Sequence, residues 1–182
     1  MNALLPQLPR WIAFAAALGL VCAGPIAQFA HYHDFADGRV WLGVPNAADV
    51  FSNIAFLLAG GFGVAVVWRR RVALGDAFPA WGLFAAAVTA CALGSTWYHL
   101  APDDARLVWD RLPIALASAG LLVAMRTESR PGTEPRAALA LSVTFAAGSV
   151  AWWALTHGQA GDGDLRPYLL IQTLPLVLVP LW

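Results

Sequence analysis

The sequence predicts an all-α fold, a polytopic bundle of transmembrane helices, and three observations carry that expectation. Of the 182 residues, 59% are hydrophobic and only 12% are charged, against about 25% charge in an ordinary soluble domain. The mean hydropathy is +0.63. The apolar residues also fall in continuous runs close to the ~20 residues that cross a hydrocarbon core as a helix, a form that satisfies its own backbone polar groups. Alternating runs, which a spanning β-barrel would need, are absent.

Six such segments follow one another, joined by short connections rich in Gly, Pro, Asp and Arg. They are expected over Trp11 to Ala30, Val50 to Trp68, Phe78 to Tyr98, Leu107 to Met125, Ala137 to Thr156, and from Tyr168 onward. Arg10 ahead of the first raises the question of a signal peptide, but no clean small-x-small cleavage site follows, so the segment is read as a retained helix. The last, Tyr168 to Trp182, has 15 residues and no polar tail. The expectation is therefore a single domain over residues 1–182 that stops inside a helix, with six helices present of seven. No sequence period of about 20 to 50 residues marks a repeat architecture.

The formal net charge is zero and all 11 cationic side chains are arginines, scattered or in one triplet. Nothing resembles a nucleic-acid footprint. If connections alternate sides, Arg10, Arg69, Arg70, Arg71, Arg126, Arg130 and Arg136 share one side, and Arg39, Arg106 and Arg166 the other. The second side also holds Asp34, Asp37, Asp103, Asp104, Asp162 and Asp164. The arginine bias puts the N-terminus in the cytoplasm. Cys22 and Cys91 lie inside apolar runs, where a thiol acts as a small buried hydrophobe, and neither has a second cysteine at ligand spacing.

Chemistry concentrates at the junction of the third and fourth segments. In Gly94-Ser95-Thr96-Trp97-Tyr98-His99, Ser95 and His99 are four residues apart and share a helix face. Pro102-Asp103-Asp104 then turns the chain, with Asp103 or Asp104 suited to cap the next helix. So short a link makes the two helices antiparallel neighbours, which brings Asp110 toward His99. An ionisable residue within an apolar span is costly and tends to face a bundle interior or a watery cavity. Metal-assisted hydrolysis fits the trio: the imidazole as a zinc ligand, the carboxylate to move a proton, the hydroxyl to steady an oxyanion. A Ser-His-Asp nucleophilic triad is the competing assignment, but no Gly-x-Ser-x-Gly turn accompanies it. The non-catalytic alternative is a polar trio that locks two helices together, with Asp110 paired to Arg111 or holding His99.

Gly94-Ser95-x-x-Tyr98-His99, with Asp110 eleven residues on and then Pro113, resembles the Gly-Ser-x-x-Phe-His and Asp-Glu-Leu-Pro motifs of the alkaline ceramidases. These belong to the CREST group of seven-helix membrane hydrolases, which also includes the progestin and adipoQ receptors. Ser52-Asn53 is similar to the Ser-Asn near the start of that family's second helix. The motifs cover roughly residues 34 to 113, and later segments agree in hydropathy alone. The resemblance implies a zinc site with His99 as a ligand, Ser95 as oxyanion stabiliser and Asp110 as proton shuttle. The family's other two ligands form a His-x-x-x-His on its last helix, and no histidine follows His157 here. It further implies calcium at an acidic stretch, for which this chain offers Asp34, Asp37 and, further on, Asn46.

Elsewhere, His31 and His33 flank Tyr32 at the end of the first segment and are expected at the headgroup level. Asp49 is expected to cap the second helix, and His157 to be a loop residue without a partner. Tryptophans near segment ends, such as Trp11, Trp41 and Trp68, read as interface anchors. The expected function is zinc-dependent hydrolysis of the amide of a ceramide-like lipid held within the bilayer. A receptor-like or scaffolding membrane protein is the alternative. A small transporter comes third, because the fifth segment offers little beyond Ser142, Thr144 and Ser149 near the midplane. Oligomeric state is not legible.

Overall fold

The computed structural model describes residues 7–130, 134–157 and 163–182. Asp162, counted above with the acidic side, lies outside them. Among the described residues the fold is all helix: α1 (Leu8–Cys22), α2 (Ala47–Arg69), α3 (Phe78–Leu100), α4 (Asp104–Ser129), α5 (Pro135–Thr156) and α6 (Arg166–Leu178). A helical turn, Arg71–Leu74, and a 3-10 turn, Gly75–Ala77, join α2 to α3, and a second 3-10 turn, Val179–Leu181, follows α6. A lone antiparallel bridge pairs Trp41 with Val44. Four spans are long and apolar enough to cross a membrane: α2, α3 with the turns before it, α4 and α5.

The boundaries follow from local chemistry. Pro79 and Pro135 stand in the first turns of α3 and α5, where a missing N–H costs nothing. Asp103 caps α4 as expected, its carboxylate accepting from the Arg106 N–H at 2.7 Å. The first segment is shorter than expected. α1 stops at Cys22 after 15 residues, because Gly24 takes the left-handed conformation (φ +74°) and Pro25 cannot continue a helix. At 1.5 Å per residue α1 falls short of a full crossing. Its outer face exposes Cys22, which is therefore not the buried hydrophobe expected, whereas Cys91 is buried.

The α2 cap also differs from expectation. The cap position is Asn46, in the left-handed region (φ 47°), and Asp49 is the third helical residue. The Asp37 carboxylate answers the helix end instead, accepting from the Ala48 N–H at 2.8 Å. Asp49 keeps a favourable place in the first turn, next to the positive end of the helix.

α4 is the central helix, in contact with α3, α5 and α6; α2 packs on α3, and α1 on α6. Small residues let the helix backbones approach closely. A side chain at Gly60 would strike Thr89, and one at Gly120 would strike the Phe84 and Ala80 backbone. Ala115, Ala119, Ala146, Val150, Tyr168 and Ile171 fill the space between α4, α5 and α6. The segment 25–46 crosses the end of the bundle where α3 and α5 finish and α4 and α6 begin. The Ile26 carbonyl accepts from the Leu165 N–H at 2.8 Å. Asp164, 5% exposed, accepts from Arg166 Nη2 at 2.8 Å, Trp152 Nε1 at 2.9 Å and the Ile26 N–H at 3.3 Å.

Candidate functional site

The site starts from a defect in α4. Pro113 has no N–H to return to the Trp109 carbonyl four residues earlier. That carbonyl is the atom against which Gly94 of α3 packs, and any side chain at Gly94 would collide with it. The close approach sets the next residues of both helices side by side. Ser95 and His99, one turn apart on α3, and Asp110 of α4, next to Trp109, flank that backbone contact. All three side chains are partly exposed. An apolar groove of about 410 Å³ along the α3–α4 seam ends at Gly94 and Trp109.

His99 is held from three directions. Its ring packs on Phe35 (centroids 4.6 Å) and Tyr98 (5.1 Å). Its carbonyl accepts from Asn46 Nδ2 at 2.8 Å. Its Nδ1 is buried without a hydrogen-bond partner among the described residues, with the Asp49 carboxylate 4.0 Å away. The pairing of Asp110 with Arg111 considered from sequence is not made. Arg111 is 3% exposed and lies in a box of aromatic rings, 4.0 Å from Trp153, 5.1 Å from Tyr32 and 5.4 Å from Tyr168. Cation–π attraction strengthens when the cation is desolvated in this way.

A second polar cluster, missed from sequence, reaches Tyr98, the chain neighbour of His99. Since Asp103 takes the capping role, Asp104 is left to accept from His33 Nε2 at 3.1 Å, His157 Nε2 at 2.9 Å and Gln28 Nε2 at 3.3 Å. With Nε2 of His33 donating to the carboxylate, its Nδ1 accepts from the Tyr98 hydroxyl at 2.9 Å. His157, read from sequence as a loop residue with no partner at ligand spacing, is thus paired with Asp104. Only the alternation of helix directions, which puts His33, Asp104 and His157 at one end, gave a signal for the cluster.

The acidic stretch is divided among other partners. Asp34 pairs with His31 at 3.1 Å on the surface. Asp37 is bound by Arg39 and by the α2 end, and the Arg39 hydrogen bond holds its carboxyl below the usual range. A calcium ion at Asp34 and Asp37 would have to displace Arg39, so the arrangement does not fit that ion and no step is derived through it. Among the described residues no group of three or more His, Cys, Asp or Glu is arranged to hold a metal ion. Compared with protein-family models, curated proteins and solved structures, the chain matches none.

Proposed function

We propose that the protein is a multi-pass membrane hydrolase that cleaves the amide bond of a ceramide-like lipid. The observation that carries the reading is the close backbone contact of Gly94 with Trp109, which Ser95, His99 and Asp110 flank. The membrane setting is supported by four sufficiently long apolar spans and by outward-facing residues such as Leu58, Phe62, Leu141 and Leu176. The choice of an amide lipid rests on the resemblance of the Ser95, His99, Asp110 and Pro113 motifs to those of alkaline ceramidases.

Zinc is the implied cofactor, and the residues present fit one corner of its site. His99 offers an imidazole whose Nδ1 is buried and unpartnered among the described residues, while the His-x-x-x-His that the resemblance implies has no counterpart after His157 in this sequence. When bound, the metal would polarise the scissile carbonyl and lower the pKa of water. Ser95 donates its hydroxyl hydrogen to the carbonyl oxygen as that oxygen gains negative charge. Asp110 takes a proton from the attacking water and delivers one to the leaving amine as the C–N bond breaks. The products are a fatty acid and a long-chain base.

The test uses the protein reconstituted in bilayers containing labelled ceramide. Ser95→Ala should slow release of the labelled acid by about 10²–10³-fold and leave the zinc content unchanged. His99→Ala should lose zinc. Unchanged zinc in the His99 variant would return the trio to a structural role.

A second reading has its own support. Asn46 and Asp49 tie the start of α2 to His99 at the end of α3, which suits a receptor-like or scaffolding protein that keeps the trio to lock three helices. Asp110→Asn separates the two: loss of turnover with an unchanged unfolding midpoint belongs to a hydrolase, a lowered midpoint without any turnover to a scaffold.

A further inference from the structure

At the opposite end of the bundle from His99, a cavity of about 280 Å³ opens between α1, α4, α5 and α6. Three arginines border it: Arg10 from α1, Arg126 from the last turn of α4, and Arg130 just past that helix. Beneath them the lining turns apolar, with Leu122 and Leu178. None of the three arginines is in an ion pair with a carboxylate among the described residues. Glu128, two residues from each α4 arginine, faces away and accepts from Trp81 Nε1 at 2.7 Å.

Like charges brought close together at a helix end repel. The negative end of the α4 dipole offsets part of that cost for Arg126 and Arg130, but it does not account for a third cation brought to the same cavity by another helix. Guanidinium groups present planar donor forks that match phosphate oxygens in pairs. A cluster of them above an apolar floor suits a ligand with a phosphate at one end and hydrocarbon at the other.

We propose that this cavity binds a phosphate group, presented by the headgroup of an anionic membrane lipid or by a free phosphate compound. The site lies at the far end of the bundle from the proposed hydrolytic centre, and its test reads no turnover. The full chain is reconstituted in nanodiscs of equal phosphatidylcholine and phosphatidylglycerol, released into mild detergent, and the retained lipid identified by native mass spectrometry. Wild-type protein should keep phosphatidylglycerol in preference to phosphatidylcholine. Retention should fall about fivefold for each arginine removed and about thirtyfold in Arg126→Gln/Arg130→Gln. Arg69→Gln/Arg70→Gln, which alters charge at the same end but away from the cavity, should retain lipid as the wild type does.

In a parallel arm, inorganic phosphate is added to lipid-free protein in detergent. Thermal stabilisation by phosphate without any lipid preference identifies a free phosphate compound as the source and still supports the site. No preference between the lipids together with no response to phosphate would overturn it, and so would equal loss of lipid in the Arg69/Arg70 variant. The wild-type comparisons in both arms decide the matter even if the Arg126/Arg130 variant fails to fold.

Discussion

A proline on one helix and a glycine on the next together set the backbone contact that the candidate catalytic residues flank. Pro113 leaves the Trp109 carbonyl without its intrahelical donor, and Gly94 is the only side-chain size that lets α3 approach that carbonyl. A methyl group at Gly94 must push the helices apart, since the obstacle is backbone and cannot rotate away. Gly94→Ala should therefore lose about 1–3 kcal/mol, the usual cost of overpacking, in unfolding titrations of the detergent-solubilised protein. Gly61 on α2 is the matched control, because nothing lies within 4 Å of a Cβ built there. Gly61→Ala should be neutral or gain up to about 1 kcal/mol from helix propensity. If both variants unfold alike, the backbone contact is not what fixes the site. At this scale the shared helix face of Ser95 and His99 and the packing of α3 on the helix that carries Asp110 were legible, from a four-residue spacing and a short link. The Asp104 cluster was not, since His33 and His157 reach it from 71 and 53 residues away and nothing local marks them as partners.

Among the elements, the spans from α2 to α5 were legible to within a few residues because apolar runs and their stop signals agree: Pro79, Asp103 and Pro135 stand where helices begin. α1 was misread because hydropathy continues through Ile26, Phe29 and Ala30 while the backbone has already been stopped at Gly24-Pro25. The freed segment 25–46 then ties the elements at its end of the bundle together through carboxylates. Asp164 holds Ile26 and Arg166, and Asp37 holds the α2 end and Arg39. The Arg166 guanidinium keeps the Asp164 carboxyl well below the usual range against the opposing effect of burial, and Arg39 does the same for Asp37. With folded pKa values depressed, the unfolded segment binds more protons, so stability from these carboxylates is present above the unfolded pKa of about 4 and lost as pH falls through the lower folded values. Hydrogen exchange of residues 25–46 should accordingly stay slow at neutral pH and down to about pH 4, and quicken below it. In Asp164→Asn the segment should exchange faster already at neutral pH and respond less to acid. Exchange that speeds up as pH rises from 4 to 7, after correction for intrinsic rates, would reverse the sign and remove these carboxylates as the cause.

Over the whole molecule the charge is sorted by end, and this is where sequence and structure meet most directly. Arg10, Arg126 and Arg130 border one cavity, and the antiparallel run of α2, α3 and α4 puts Arg69, Arg70 and Arg71 at that same end. His33, Asp104, His157 and Asp164 gather at the other. Each arginine side was assigned by counting connections, and the count holds although α1 is short, because α1 still runs from the arginine end toward Val21, whose carbonyl accepts from Arg166 at 3.3 Å. What packing alone does not choose is which end faces the cytoplasm. The expectation that arginine-rich short connections stay on the cytoplasmic side supplies that choice. Reporter fusions after Arg71 and after Glu134 should therefore be active as cytoplasmic, and fusions near Asp104 and Asp162 as external. Moving the bias should move the protein: replacing Arg69, Arg70 and Arg71 with glutamine leaves four arginines on that side against three, and mixed reporter signals are expected. A cytoplasmic signal at Asp104 in the unaltered chain would invert the bundle, and would place His99 and the start of α4, hence the proposed hydrolysis, on the cytoplasmic face.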